Sequence, residues 1–412
     1  MHESTDTVVI GAGPAGIAVA EHLREAGHTG GITVLSAEDH LPYDRPPLSK
    51  EALLDDAAPE TFALRPEAFY DEYDVALRLG CTAVRVDRAA GAVDLADGDR
   101  VPASAVVLCT GGRPRTVNLP GADLGGVHTL RTVEDAAAIR AGLERGGPVV
   151  VVGGGFIGTE VAAAAATRGC PTVLVESADL PLGRVLGSEV AGVLAGVHRE
   201  RGVELRTGVA VTGFAGNGRV ERVELADGSR LAADLVVVGL GMAPSHELAA
   251  TAGLAVGDGV HVDDRGRTSA PGIWAAGDVA ATPAPGNGRQ RTEHWKAATQ
   301  LGVRVARDVL GLPPEPPTVP WFWSDQFDLN IQLAGAPGRG PQRCVRGDVA
   351  DLCFSVLYHD DGLVTGITAV NRGRDVRPAT DLIRSGTRVD PGSLDDPATT
   401  LKALARAARC TR

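Results

Sequence analysis

The chain has 412 residues, 44% of them hydrophobic and 22% charged, and a formal net charge of −12. That is enough apolar material for two or three cores at roughly 150 residues per domain, which excludes global disorder. The acidic balance excludes general nucleic-acid affinity, which needs a basic footprint, and no apolar run approaches the ~20 residues that span a bilayer.

The opening stretch "MHESTDTVVIGAG" lacks the basic and apolar regions of a secretory leader, so the expected compartment is the cytoplasm. A buried strand, a glycine-rich turn, an Ala-rich helix and a second strand follow in "TDTVVIGAGPAGIAVAEHLREAGHTGGITVLSAED". The same order returns in "GPVVVVGGGFIGTEVAAAAATRGCPTVLVES". Each is one βαβ unit, and the continuous apolar runs mark strands covered on both faces, as in parallel sheets. Shorter strand-like pieces follow each unit, "VPASAVVLCTGG" and "LAADLVVVGLGMAPS". Further on, "RTEHWKAATQLGVRVARDVLG" has helical spacing, with Ala297, Leu301, Val305 and Val309 on one stripe. The proline-rich "GLPPEPPTVP" can continue neither helix nor central strand and reads as a linker. Beyond it, "CVRGDVADLCFSVLYHDDGLVTGITAV" predicts strands, with a hairpin turn at "HDDG", and helices are predicted near 375–386 and 398–409. The expected class is α/β, with two Rossmann-like dinucleotide-binding domains and a C-terminal α+β domain.

Gly11, Gly13 and Gly16, with Pro14 and Ala15 between them, fit GxGxxG between a strand and a helix. The first Gly permits the tight turn, the second lets backbone approach a pyrophosphate, and the third lets helix and strand pack. The phosphates then meet a helix N-terminus, where free N–H groups and the dipole favour anions. A carboxylate for the ribose belongs about 20 residues later. Glu38 fills that place, with Ser36 and Asp39 flanking it, so the assignment holds to within a residue or two. Gly153, Gly155 and Gly158, with Phe156 and Ile157, repeat the pattern, and Glu176 follows. A carboxylate there accepts from both ribose hydroxyls and repels a 2′-phosphate; no Arg follows until Arg184, so NADH is expected over NADPH. A solvated strand-end Glu is the plain alternative. Two such sites call for two cofactors, reduced nicotinamide and FAD. Asp278, after Gly277 in "GIWAAGDVA", suits the hydroxyls of a flavin ribityl chain, or else an ordinary helix N-cap.

The six cysteines form no CxxC, so neither a zinc site nor a redox dithiol is expected, and no metal ligand set is evident. Only three of the 40 basic residues are Lys, and one of them, Lys50, stands behind two prolines in "LPYDRPPLSKE". Aromatic residues are scarce, yet Trp321, Phe322, Trp323 and Phe327 lie within seven positions. Core packing is the ordinary reading of such a cluster. Charge is also uneven: residues 318–412 hold 12 Lys+Arg against 11 Asp+Glu, while the remainder holds 28 against 41. An acidic body with a neutral C-terminal part can offer a local basic patch to an acidic partner.

Through "YDRPPLSK", "GGGFIGTE", "GIWAAGD", "EHWKAATQ", "WFWSDQ" and "NRGRDVRPATDLI" the sequence resembles the NADH-dependent, FAD-containing ferredoxin reductases of bacterial cytochrome P450 and ring-hydroxylating oxygenase systems. These are flavoproteins of the glutathione-reductase type, and the resemblance covers essentially the whole chain. It implies a FAD domain in two pieces (1–112 and 242–317), an inserted NAD domain (113–241) and a C-terminal interface domain (318–412), in a monomer or homodimer. Disulfide-reductase relatives carry redox cysteines where this chain has "PPLSKE". Electrons would then leave the flavin directly, one at a time, to a [2Fe–2S] ferredoxin and onward to an oxygenase or P450. By the same resemblance Lys50 sits near flavin N5 and pairs with Glu160, and Trp323 lies by the flavin or nicotinamide as a third catalytic residue. Arg45 would help hold the FAD pyrophosphate. The helix of "EHWKAATQ" would aim its start, Glu293, His294 and Trp295, at the N1/C2=O edge of the flavin, with simple core packing the alternative for Trp295. Thr110, Gly111 and Arg115 in "CTGGRPR", and Gly241, belong to the cofactor sites near the crossovers. Trp321 either faces the ferredoxin or packs in the core. Arg372, Arg374, Arg377, Lys402, Arg406 and Arg409 meet an acidic ferredoxin or form a solvated face. Two rival readings stay open: another acceptor such as oxygen, rubredoxin or a small biosynthetic intermediate, and a flavin-based NADH sensor or scaffold.

Overall fold

The computed structural model describes residues 6–55, 58–284, 288–316 and 318–410. Residues 1–5 of the stretch read for a leader, Pro317 of the linker, and the Cys410 side chain lie outside them. The chain divides into two compact units, one from 1–46, 57–113 and 242–316, the other from 47–56, 114–241 and 317–412.

The first unit is built on a five-stranded parallel sheet. Its order is Ala76–Arg78, Ile32–Leu35, Thr7–Ile10, Ala105–Leu108, Ile273–Ala275. Val8, Val9, Val34 and Val107 are fully buried, as expected of β-branched strands covered on both faces. An antiparallel meander, Ala83–Asp87, Ala92–Leu95 and Arg100–Pro102, is inserted before the fourth strand. Helices Pro14–Glu25 and Trp295–Val309 pack on each other through small residues. A Cβ on Gly302 would lie 2.5 Å from the Ala15 carbonyl oxygen, so only glycine allows this approach.

The second unit repeats that plan. Its parallel sheet runs Val203–Thr207, Thr172–Glu176, Val149–Val152, Leu235–Val238, Val127–His128, again with a three-stranded meander before the fourth strand. The fifth strand differs in origin: here it precedes the unit's first strand in the chain, whereas in the first unit it comes last.

The C-terminal part of the second unit is an antiparallel sheet ordered Trp321–Gln326, Leu329–Gly335, Leu363–Val370, Cys353–Asp360, Gln342–Asp348. One face packs Ile331, Phe354 and Val356 against Leu186, Val190 and Leu194 of helix Gly183–Glu200. The other packs Leu357 and Ile367 against Val376, Leu382 and Leu401 of helices Val376–Ser385 and Leu401–Cys410. The hairpin at "HDDG" turns through Asp361 and Gly362, both with positive φ. A short helix, Pro391–Asp395, had no signal in the sequence beyond the Asp390 that caps it.

Candidate functional site

Each parallel sheet ends in a glycine loop, and the two loops obey the same sterics. Gly11 has φ +107° and a Cβ there would stand 2.2 Å from the Cys109 carbonyl oxygen. Gly153 has φ +105° and the corresponding distance to the Gly239 oxygen is 2.4 Å. A Cβ on Gly16 would lie 2.0 Å from the Gly11 oxygen, and one on Gly158 would lie 1.9 Å from the Gly153 oxygen. These four glycines are therefore required by the chain's own packing. The middle glycines are not: nothing lies within 4 Å of a Cβ on Gly13 or Gly155. Both cap a helix without a side-chain hydrogen bond. Open space before an uncapped helix start fits a pyrophosphate, since a side chain there would fill the space and block backbone approach.

In the first unit Glu38 ends the strand after the loop's helix. Its carboxylate accepts from the Tyr43 hydroxyl and from Arg45 Nη2 at 2.7 Å. Arg45 thus lies on Glu38, tying the residue expected at the pyrophosphate to the residue expected at the ribose. Thr110 donates to the Ser245 carbonyl at 2.6 Å, and Gly111 takes φ +63°. Gly277 takes φ +77°, and a Cβ there would meet Ala15 Cβ at 2.9 Å, so the "AAGD" turn sits on the first loop's helix. His294 and Trp295 begin helix Trp295–Val309. Burial holds the His294 imidazole below its ordinary range, with Asp278 pulling the other way. Glu293 is exposed and paired with Arg291. Trp295 Nε1 donates to Asp44 Oδ1 at 2.5 Å. Asp44 belongs to "YDRPP", but sequence reasoning gave it no role. Its one distinguishing mark was a carboxylate wedged between an aromatic and a Pro-Pro turn.

In the second unit Glu176 accepts from the Gly154 N–H at 2.6 Å and from the Ala178 N–H at 2.8 Å. The carboxylate expected to meet the ribose is thereby locked to its own glycine loop. Arg115 is exposed and joined through its backbone to Gly241, which takes φ +85°.

Lys50, expected to pair with Glu160, lies 2.9 Å from Glu160 Oε2. The turn Pro46–Ser49 and the short helix Glu51–Leu54 present it, while Glu160 projects from helix Phe156–Thr167. Glu160 is 3% exposed and also accepts from Ser49 Oγ and from Ser324 Oγ, the latter at 2.6 Å. Burial pushes its carboxyl up, and Lys50, Ser324 and Ser49 pull it back toward the ionised form. Strand Trp321–Gln326 alternates: Trp321, Trp323 and Asp325 share one face, Phe322, Ser324 and Gln326 the other. Trp321 and Trp323 are stacked, with centroids 5.2 Å apart, and Phe322 packs on Phe156 at 4.5 Å. Ser49, Ser324 and Gln326 were not singled out in the sequence. The period-2 alternation of "WFWSDQ" was the available signal, because it puts two polar residues on the face of Phe322.

Among the basic residues of the C-terminal helices, Arg374, Arg377, Lys402 and Arg406 are exposed. Arg372 and Arg409 are tied to Asp375 and Asp381. Among the described residues no helix is long and apolar enough to cross a membrane, and no group of three His, Cys, Asp or Glu could hold a metal ion.

Comparison with known proteins agrees with this geometry. Residues 5–302 match the family described as pyridine nucleotide-disulphide oxidoreductase, and residues 321–405 the reductase C-terminal family. The chain is 42% identical to the ferredoxin–NAD(+) reductase component of an anthranilate 1,2-dioxygenase system from Burkholderia cepacia, covering 96% of this chain and 98% of the relative. It is 40% identical to the corresponding component of a p-cumate 2,3-dioxygenase system from Pseudomonas putida, over 96% and 97%. Among solved structures it matches the covalent putidaredoxin reductase–putidaredoxin complex with a TM-score of 0.94 at 34% identity, covering 98% of this chain and 99% of that one. The chain belongs to the pyridine nucleotide-disulphide oxidoreductase family, in its ferredoxin–NAD(+) reductase branch.

Proposed function

We propose that this enzyme is an NADH:ferredoxin oxidoreductase serving an oxygenase or cytochrome P450 system. One NADH and two oxidised ferredoxins give NAD+, a proton and two reduced ferredoxins. The observation that carries this reading is that one chain holds two nucleotide-type glycine loops and a buried Lys50–Glu160 ion pair, with Lys50 in the stretch that, by resemblance, carries the cysteines of disulfide reductases. Bound FAD supplies the chemistry the polypeptide lacks, taking two electrons as hydride from nicotinamide and releasing them singly.

The chain's own residues bind, orient and tune. Gly11, Gly13, Pro14, Ala15 and Gly16 would cradle the FAD pyrophosphate, with Glu38 and Arg45 at the adenosine end and Asp278 at the ribityl chain. Thr110, Gly111 and Gly277 shape that site. The helix start at Glu293, His294 and Trp295 presents positive dipole to the pyrimidine edge of the flavin. Gly153, Gly155, Phe156, Ile157 and Gly158 would cradle NADH, Glu176 would hold its ribose, and Arg115 and Gly241 would flank it. Lys50, kept in place by Glu160, supplies a fixed cation that favours the electron-rich reduced ring. Trp323 offers a flat surface for ring stacking. We assign FAD to residues 1–112 and 242–317, NADH to 113–241, and the ferredoxin to 318–412. Among the described residues five cysteines are free, which fits a reducing compartment, and we place the enzyme in the cytoplasm.

Anaerobic stopped-flow mixing with NADH, followed by cytochrome c reduction with and without purified [2Fe–2S] ferredoxins, tests both halves. Fast bleaching of the flavin and ferredoxin-dependent cytochrome c reduction are expected. Full turnover without any carrier protein overturns the ferredoxin assignment.

A further inference from the structure

Behind Glu160 runs a line of buried polar groups that the proposed chemistry does not use. Ser324 Oγ lies 2.6 Å from Glu160 Oε1, Gln326 Nε2 lies 3.1 Å from Ser324 Oγ, and His198 Nε2 lies 2.9 Å from Gln326 Oε1. Ser324, Gln326 and His198 are 0%, 1% and 3% exposed. They come from strand Trp321–Gln326 and helix Gly183–Glu200, far from Lys50 in sequence.

We propose that Ser324, Gln326 and His198 form a one-way hydrogen-bond chain whose donors all point at Glu160, which makes them positioning residues for the Lys50–Glu160 pair and fixes His198 as the neutral Nε2–H tautomer. The direction follows from donor counting. Glu160 faces an ammonium, and an ionised carboxylate only accepts, so the Ser324 hydroxyl donates to it. A hydroxyl has one hydrogen, so Ser324 must accept from Gln326, and the amide NH2 faces it. The amide oxygen then faces His198, and the imidazole nitrogen against it must carry a hydrogen. Among the described residues the other nitrogen, Nδ1, is buried with no hydrogen-bond partner. With only a neutral amide facing the ring, a second proton there would be an unsatisfied, uncompensated buried donor, which excludes the cation in the wild type. Burial also lowers the His198 basicity.

The surroundings agree. The His198 ring meets Phe327 edge-on at 5.2 Å, and beyond Phe327 the Arg201 guanidinium is neutralised by Asp328 at 2.8 Å. Lys50 is the charged group facing Glu160. Aligned donors polarise one another in a low-dielectric interior, so the line stabilises the Glu160 charge beyond what Ser324 does alone.

The test reads the tautomer directly. In the 15N histidine-labelled holoenzyme, His198, assigned by its loss in His198→Gln, is expected to show a protonated Nε2 and a bare Nδ1 at pH 7. An Nδ1–H tautomer or a cation overturns the proposal. This arm needs no acceptor protein and no variant activity, so it stands or falls apart from the ferredoxin reading. The kinetic arm rests on that reading. Removing a donor from a buried carboxylate raises its pKa, so in Ser324→Ala the acid limb of flavin reduction by NADH is expected to move up by about one to two pH units. An unmoved limb overturns the positioning role. Gln326→Glu puts an acceptor on both sides and is expected to turn His198 cationic at pH 7; a His198 that stays neutral overturns the proposed coupling. Should either variant fail to fold, the wild-type spectrum still decides.

Discussion

Gly13 and Gly155 occupy the same step of two glycine loops, and in neither case, among the described residues, does a heavy atom beyond the adjoining chain lie within 4 Å of where a side chain would begin. At Gly16 and Gly158, by contrast, an added Cβ would stand 2.0 and 1.9 Å from a backbone oxygen. The two kinds of glycine answer to different demands, ligand approach and chain packing, and mutation separates them. Gly13→Val is expected to fold with the melting temperature of the wild-type apoprotein and to lose FAD on gel filtration, seen as a fall in the 450/280 nm absorbance ratio. Gly16→Ala is expected to fail earlier, as lost soluble protein. Gly155→Val should raise KM for NADH about tenfold or more, a loss of roughly 1.4 kcal/mol of binding.

The Lys50–Glu160 pair allows a stability test of its own. Lys50→Met leaves a buried carboxylate without its cation, which costs about 3–5 kcal/mol. The double variant Lys50→Met/Glu160→Gln removes both charges and should recover most of that loss in urea unfolding. Both are expected to slow flavin reduction by NADH in stopped flow; an unchanged rate in Lys50→Met would remove Lys50 from the mechanism.

We assign cofactor choice to Glu176, whose carboxylate is held by two backbone N–H groups and cannot swing aside cheaply. Wild-type kcat/KM should favour NADH over NADPH. Glu176→Ser should narrow that ratio by about tenfold or more, since the repulsion of a 2′-phosphate goes with the charge.

Arg374, Arg377, Lys402 and Arg406 are the exposed cations available to steer an acidic ferredoxin, whereas Arg372 and Arg409 are already neutralised. Charge reversal at Arg377 and Lys402 is expected to slow ferredoxin reduction several-fold at low salt and to flatten its dependence on ionic strength. An identical salt profile would mark these residues as an ordinary solvated face.

Stability should fall in mild acid. Burial holds His128, His198 and His294 below the ordinary histidine value of 6.5. Above pH 6.5 both folded and unfolded states are neutral at these sites and the shifts contribute nothing. Below it the unfolded chain takes up protons first, so stability declines as pH falls toward the lowered folded values. Thermal melts between pH 7.5 and 5 check this, and His198→Asn should show a smaller decline.

Much of the fold was readable because its signals are short-range. A glycine loop is a local turn, its helix begins at the next residue, and its ribose carboxylate lies one strand away. Hence the two nucleotide units, the helix begun by Trp295, the "HDDG" hairpin and the paired closing helices all stood out from periodicity and turn chemistry. Arg45 was placed on the pyrophosphate by resemblance, but its bond to Glu38 depends on side-chain geometry that no spacing encodes.

What the amino-acid sequence determined by itself is which backbone turns receive nucleotides, because steric demands on single glycines act within a few residues. What only the tertiary structure decided is the line from Glu160 to His198. Its bonds cross separations of 164 and 128 residues, and they exist because one sheet brings Ser324 and Gln326 inward beneath Glu160. Burial turns Ser324 and Gln326 to bond along the line, and that constraint orders the protons along it.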